Sequence, residues 1–258
     1  MKKLFSILLI LALAFSFASC DFGNETPDDP DTGDQGNEGN EGGENEDNKD
    51  DGVMSYAEYV AAAVEAPVVI EAYVQATQSW WDNKITVYAA DKDGAYFLYE
   101  MACSEADAAK LTAGTKIKVT GFKAEWSGEV EVVDATFTFV EGADKYVAPA
   151  KDLTAKLGTD DLIKYQNQLA LFKGVTIKSI EYKNGEPGDD IYVTVTSDGK
   201  DYSFCVERYL TDPDTDVYKA FATLAAGDVV DIEGFVYWYN GINTHITKVT
   251  EITGEATA

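Results

Sequence analysis

One stretch of this chain is written twice. Leu111-Thr-Ala-Gly-Thr-Lys-Ile-Lys-Val-Thr-Gly-Phe122 returns 113 residues later as Leu224-Ala-Ala-Gly-Asp-Val-Val-Asp-Ile-Glu-Gly-Phe235. The same offset lays Trp126 on Tyr239 and Gly128 on Gly241. Upstream, Asp93-Gly94 answers Asp198-Gly199, and Ile85-Thr-Val87 answers Ile191-Tyr-Val193. Chance seldom keeps several landmarks in order. The chain therefore carries two copies of one fold, and any architecture proposed for the first must serve the second.

Each copy reads as short strands with turns between them. In the first, a helix is expected over 55–64 with Ser55 as its cap, and strands over 67–76, 84–90, 95–101, 115–125 and 129–140. A capped helix over 104–111 separates the third strand from the fourth. The second copy gives a lead-in helix over 159–166, strands over 168–182, 190–196, 200–206, 228–237 and 242–250, and a helix over 215–224. Five strands with a helix between the third and fourth is the element order of an OB-fold, a partly open barrel. The expected class is all-β with short helices: two tandem five-stranded OB-fold-like barrels, over 54–142 and 153–253. The L-x-A-G…G-F segment, with the Trp-Ser-Gly or Tyr-Asn-Gly that follows it, resembles OB-fold modules of bacterial secreted and surface proteins. Some modules of that kind are attached to extracellular nucleases. The resemblance implies the fold and licenses no activity.

The start of the chain speaks to location. Lys2 and Lys3 precede an apolar run to Phe17 that has the proportions of a signal peptide and is short for a membrane span. Phe17-Ala-Ser-Cys20 resembles a bacterial lipobox, with Phe17 standing where an aliphatic residue is usual. Residues 1–19 are expected to be a lipoprotein signal and Cys20 the lipidated residue, holding the protein on the cell envelope, at an outer membrane or cell surface. An ordinary secretory signal is the alternative. The stretch 21–53 has 13 Asp/Glu against one Lys and a single aromatic residue. With so little to bury, 20–53 is expected to be a disordered acidic tether.

Charge narrows the partners. Residues 54–141 hold 14 acidic and 6 basic groups, and 142–258 hold 19 and 11, so each copy is net −8. Arg208 is the only arginine. Phosphate backbones are usually held by clustered Lys and Arg, so nucleic acid is the less favoured partner. His245 is the only histidine, which excludes a site with two histidine ligands. It reads as a strand surface residue. No nucleophile elbow, phosphate loop or paired Cys-x-x-Cys is present, so no enzyme, cofactor or metal is expected. Cys103 and Cys205 fall at non-equivalent places and are expected to be two buried thiols.

Aromatic residues supply the candidate site. OB-folds bind ligands on the outer face of strands 2 and 3, between the loops joining strands 1–2 and 4–5. Trp80 and Trp81 fall in the first of these loops and Trp126 in the second. Strand alternation with Ile85 and Val87 inward sends Tyr88 outward, and on the third strand it is expected to send Tyr96 outward and Phe97 and Tyr99 inward. Trp80, Trp81, Tyr88, Tyr96 and Trp126 are then a candidate platform. Tyr192, Trp238 and Tyr239 form a weaker one in the second copy. Such rings stack on sugars or bases. They could equally cap the barrel end, or meet the neighbouring copy or a partner protein. The expected function is a non-catalytic, lipid-anchored binding module, with glycan as the leading ligand. Single-stranded nucleic acid and a structural or protein-interaction role are the alternatives.

Overall fold

The computed structural model describes residues 52–252. The signal segment, Cys20 and nearly all of the acidic stretch lie outside the described residues. Strands dominate: β1 (Pro67–Thr77), β2 (Lys84–Ala90), β3 (Ala95–Ala102), β4 (Lys116–Trp126) and β5 (Glu129–Phe139) in the first copy. The second has β6 (Lys151–Asp152), β7 (Leu169–Tyr182), β8 (Ile191–Ser197), β9 (Lys200–Val206), β10 (Val229–Phe235) and β11 (Asn243–Glu251). The helices are short: α1 (Tyr56–Ala61), α2 (Glu105–Ala108) and α3 (Asp216–Ala220).

The first copy is a closed barrel in the order β1-β2-β3-β5-β4, with β4 pairing back onto β1. β3 and β5 run parallel, Phe97 opposite Glu131, and the other neighbours are antiparallel. The second copy repeats the order as β7-β8-β9-β11-β10, with β10 returning to β7 and β9 parallel to β11. The extra strand β6 lies parallel on β7. Alternating apolar residues fill each barrel: Val68, Ile70, Val87, Leu98, Ile117 and Val132 in the first, Phe172, Val193, Phe204, Ile232 and Ile246 in the second.

Local chemistry sets the ends. Ser55 and Glu58 form a capping box on α1, the serine amide donating to Glu58 Oε2 at 2.8 Å. At the other end, Lys123 Nζ donates to the carbonyls of Tyr59, Val60 and Ala62 at 3.0, 2.8 and 2.8 Å. The lysine satisfies the carbonyls that the finished helix leaves open. The helix expected over 159–166 is instead a pair of 3-10 turns, Thr154–Lys156 and Leu162–Tyr165.

The face of β3 differs from the sequence reading by one residue. Ala90 pairs with Ala95 across the Asp91–Gly94 turn, so Ala89 lies opposite Tyr96 and Tyr88 opposite Phe97. Residues opposite each other in a ladder share a face. Tyr96 and Leu98 therefore point into the barrel, and Phe97 and Tyr99 point out. A one-residue slip exchanges every side chain on a strand.

The outer face of β2 and β3 is covered by the second barrel. Tyr88, Phe97 and Phe235 form a small buried cluster with Leu169, Leu210 and Tyr237 around it. The rings of Tyr88 and Phe235 stack with centroids 4.1 Å apart, and Phe97 meets Tyr237 edge-on at 5.3 Å. His245 lies in this seam rather than on a strand surface: its ring stacks on Tyr237 at 4.2 Å, and its Nδ1 is hydrogen-bonded to the Tyr88 hydroxyl at 2.8 Å. Burial pushes His245 down to about 3, so it is neutral there. A polar border surrounds the rings. Gln166 Nε2 donates to Gly128 O at 2.6 Å, and the Trp238 amide donates to Glu129 Oε2 at 2.8 Å. Both barrels fall within a single compact unit.

Candidate functional site

The expected aromatic residues separate into three groups. Two are sealed. Tyr88 lies in the seam and Tyr96 in the first core, where its hydroxyl donates to Asp91 Oδ2 at 2.6 Å. Neither faces solvent, so neither belongs to an open platform. Tyr88 does point out of its own barrel, and the second barrel meets it there. Tyr96 points in because of the β3 register.

Two are half-buried supports. Trp80 packs on the first core and donates from Nε1 to Cys103 O at 2.9 Å, capping the barrel end. Trp238 packs on the second core and lies against Gly128, where an added Cβ would come within 2.7 Å of its ring. Only glycine fits at that point, which also has φ +90°.

Four are exposed. Trp81 and Trp126 are 56% and 55% exposed, and Tyr192 and Tyr239 are similarly open. Trp126 ends β4 and Tyr239 lies between β10 and β11, and their turns adjoin where Asn240 N donates to Ser127 O at 2.7 Å. Tyr192 stands apart on β8. Trp81 stands in the β1–β2 turn, with Trp81 N donating to Lys84 O at 3.1 Å and Lys84 N to Trp81 O at 2.9 Å. That turn places Asp82 and Asn83 at positive φ, so the chain reverses tightly and leaves the indole outside.

Trp81 is one wall of a cleft that the two copies build together. Ser79 N donates to Tyr209 O at 2.7 Å, which brings the residues after β9 against the β1–β2 loop. Tyr99 and Tyr209, 42% and 51% exposed, complete the aromatic lining. Gln78, Ser79 and Thr86 add polar groups, and the cleft measures about 320 Å³. Lys84 and Glu100 join at 2.8 Å on its edge. Tyr209 is backed by the Arg208 guanidinium, 5.3 Å from its ring centre. An acidic hollow of about 600 Å³ adjoins it, sharing Lys84, Tyr99 and Glu100 and adding Asp82, Glu131 and Asp134.

Carboxyls in and near this junction are perturbed. Glu129 is pushed up to about 8, first by burial, with Asn167 and the Trp238 amide pulling the other way. Burial and then the charge of Glu100 push Glu131 up to about 7. Burial also raises Glu207 to about 7. Cys103 and Cys205 are both buried and free, and burial raises both thiols. Among the described residues, no three His, Cys, Asp or Glu gather to hold a metal ion.

Sequence reasoning missed Tyr99, Tyr209 and Glu131. A correct β3 register would have turned Tyr99 outward. Nothing local marks Tyr209, whose place depends on how the two barrels meet.

No protein family matches this chain, and no curated protein does. Solved structures similar to it include the Ifi202 HINa domain in complex with 20-base-pair double-stranded DNA, at 12% identity and TM-score 0.34 over 74% of this chain and 97% of that one. A murine DNA-binding protein bound to double-stranded DNA matches at 12% identity and TM-score 0.33, over 72% and 98%. The p204 HINb domain matches at 10% identity and TM-score 0.32, over 73% and 98%. Likenesses of this size carry no functional argument. The OB-like architecture rests on the strand pairings themselves.

Proposed function

We propose that this chain is a non-catalytic binding module whose ligand lies in the cleft between Trp81, Tyr99 and Tyr209. The observation that carries this reading is the exposure of three aromatic rings around one hollow that both barrels build. Open indole and phenol faces flanked by amide and hydroxyl groups suit the alternating apolar and polar surface of a sugar. Charge favours a glycan. Each copy is net −8, and the one lysine of the cleft is already paired with Glu100.

Tryptophan fluorescence of the full chain, titrated with a panel of neutral and amine-bearing oligosaccharides, tests the proposal. A saturable shift lost in Trp81→Ala is the expected result. An unchanged shift in that variant would move the ligand elsewhere, and no shift with any sugar would end the glycan reading.

Single-stranded nucleic acid is the second reading. OB-like barrels with exposed aromatic residues suit base stacking, worth roughly 1–3 kcal/mol per base. It predicts an affinity that falls steeply as salt rises. Oligonucleotide titrations at two salt concentrations distinguish it from the first.

For location, we propose that Cys20 carries the lipid and that the acidic stretch holds the barrels away from a membrane. The support is the Lys2-Lys3 start, the apolar run and the small residues before Cys20. Metabolic labelling with an alkyne fatty acid, compared between the native chain and Cys20→Ala, tests it.

A further inference from the structure

We infer that the cleft selects an amine-bearing sugar, with the ring against Tyr99 and the ammonium group beside Glu131. This rests on the reading of the cleft as a glycan site and names the class of glycan.

The aromatic and acidic halves adjoin, with Lys84, Tyr99 and Glu100 lining both. Asp82, Glu100, Glu131 and Asp134 line the acidic half against a single lysine. That lysine is held by Glu100 at 2.8 Å. Acidic surface alone is ordinary. Glu131 is not: it is 8% exposed, lines the hollow, and its carboxylate makes no hydrogen bond or ion pair among the described residues. A carboxylate that meets water only across the hollow, with no protein donor, is disfavoured, and a ligand that brings a donor removes that cost.

Its surroundings say which partner. Phe97 lies opposite Glu131 in the parallel β3–β5 pairing, and Tyr99 is two residues along on the same face of β3. Glu131 is thus close to the ring wall and close to a second carboxylate, Glu100. Burial and the Glu100 charge hold its carboxyl near 7. A ligand ammonium would pair with Glu131, relieve its repulsion from Glu100, and lie against aromatic faces that attract cations. A bare metal ion would make no use of those faces. The hydroxyls of a sugar ring would meet Gln78, Ser79 and Thr86 in the other half.

The pH behaviour follows from the charged and titratable groups around Glu131: Asp82, Lys84, Tyr99, Glu100 and Asp134 in the hollow, with Glu129 and Tyr237 beyond it. Below about 7 Glu131 takes up a proton and the pair is lost. At high pH the amine loses its own proton. Affinity should pass through a maximum near neutrality.

The test is calorimetric titration of the full chain at pH 7 with a glucosamine oligomer and with its N-acetylated counterpart. Selectivity for the amine of roughly tenfold or more is expected, since a hydrogen bond to a charged group is worth about 1.5–3 kcal/mol. Glu131→Gln should reduce amine binding to the level of the N-acetylated oligomer, and Trp81→Ala should weaken both. Equal binding of the two oligomers by the native chain would overturn the amine assignment and leave the glycan site standing. Binding of neither would overturn both. Preference for a lysine oligopeptide over either sugar would overturn the sugar class. Circular dichroism establishes that Glu131→Gln is folded. If it is not, the more exposed Glu100→Gln decides, with a smaller loss of amine selectivity expected and an unchanged selectivity overturning the proposal.

Discussion

The two copies present the same face to different neighbours. In the first barrel, the cross-strand pair on the outer face of β2 and β3 is Tyr88 and Phe97. In the second, the corresponding pair on β8 and β9 is Thr194 and Ser203. The aromatic pair is buried against Phe235, whereas Ser203 is exposed to solvent. One fold thus carries a sealed face and an open one, and two side chains on each mark the difference. In OB-folds this is the face that ordinarily meets a ligand. Here the first barrel gives it to the second, and the exposed aromatic residues gather at the edge of that contact.

The contrast is tested most strongly at those pairs. Phe97→Ala should destabilise the protein by about 3–5 kcal/mol, the usual cost of emptying an aromatic site in a core. Ser203→Ala should change stability by no more than about 0.5 kcal/mol. Urea unfolding followed by tryptophan fluorescence measures both. If Phe97→Ala unfolds in two steps where the native chain unfolds in one, the seam is what couples the barrels. Similar small effects from both substitutions would mean that the seam contributes little.

A second contrast lies within one loop. Trp80 and Trp81 are adjacent in sequence, yet Trp80 supports the core and Trp81 is open. Trp80→Ala should cost about 2–4 kcal/mol of stability, through lost burial and a lost hydrogen bond to Cys103 O. Trp81→Ala should leave stability nearly unchanged and weaken ligand binding by about 1–3 kcal/mol, the range seen for stacking. Thermal unfolding and ligand titration of the two variants separate the roles. Equal destabilisation would mean that Trp81 is structural as well.

Much of the fold was legible because the repeat was. Strands of both copies fall within a few residues of where alternation and turn residues put them, and Ser55, Ser104 and Thr215 cap α1, α2 and α3. The candidate site was less legible, for two physical reasons. The face of β3 depends on a register set at the Asp91–Gly94 turn, and a strand read alone gives its period without its phase. The cleft depends on how one barrel meets the other, and a repeat reveals two copies without revealing their contact. Tyr209 and the burial of Tyr88 both follow from that contact. Among the candidate ligand-binding residues read from the sequence, Trp81 alone lines the three-ring cleft.

Gly128 and Gly241 are repeat equivalents that the contact has made unequal. A Cβ at Gly128 would strike the Trp238 ring, whereas nothing lies within 4 Å of one at Gly241. Both have positive φ, so both substitutions carry backbone strain. Gly128→Ala should therefore cost roughly 1–3 kcal/mol more than Gly241→Ala, the usual range for overpacking. Denaturant midpoints of the two variants measure the difference. Equal costs would show that Trp238 gives way easily and that this corner of the seam is loosely held.

The last predicted effect concerns the proton on Glu129. Its repeat equivalent is Ile242, so the carboxyl belongs to the seam and not to the fold. Glu129 is fully buried, with Oε2 accepting from the Trp238 amide and Oε1 without a hydrogen-bond partner among the described residues. Burial raises it from an ordinary value near 4.5 to about 8. A group raised in the folded state holds its proton there while the unfolded chain has already released it. Its contribution is therefore full below about 4.5, declines as pH rises, and is gone above about 8. His245 has the opposite sign, because its value falls to about 3 in the fold and its cost fades as pH rises. Glu131 and Glu207 share the sign of Glu129 over a narrower range, up to about 7. The contribution of Glu129 is then visible only as a difference between two proteins. Unfolding free energies of the native chain and Glu129→Gln at pH 5, 6.5 and 8 supply it. The native chain should lose more stability over that range than the variant. Parallel curves would mean that Glu129 titrates as a solvated carboxyl, and hence that water enters the seam the aromatic rings were taken to close.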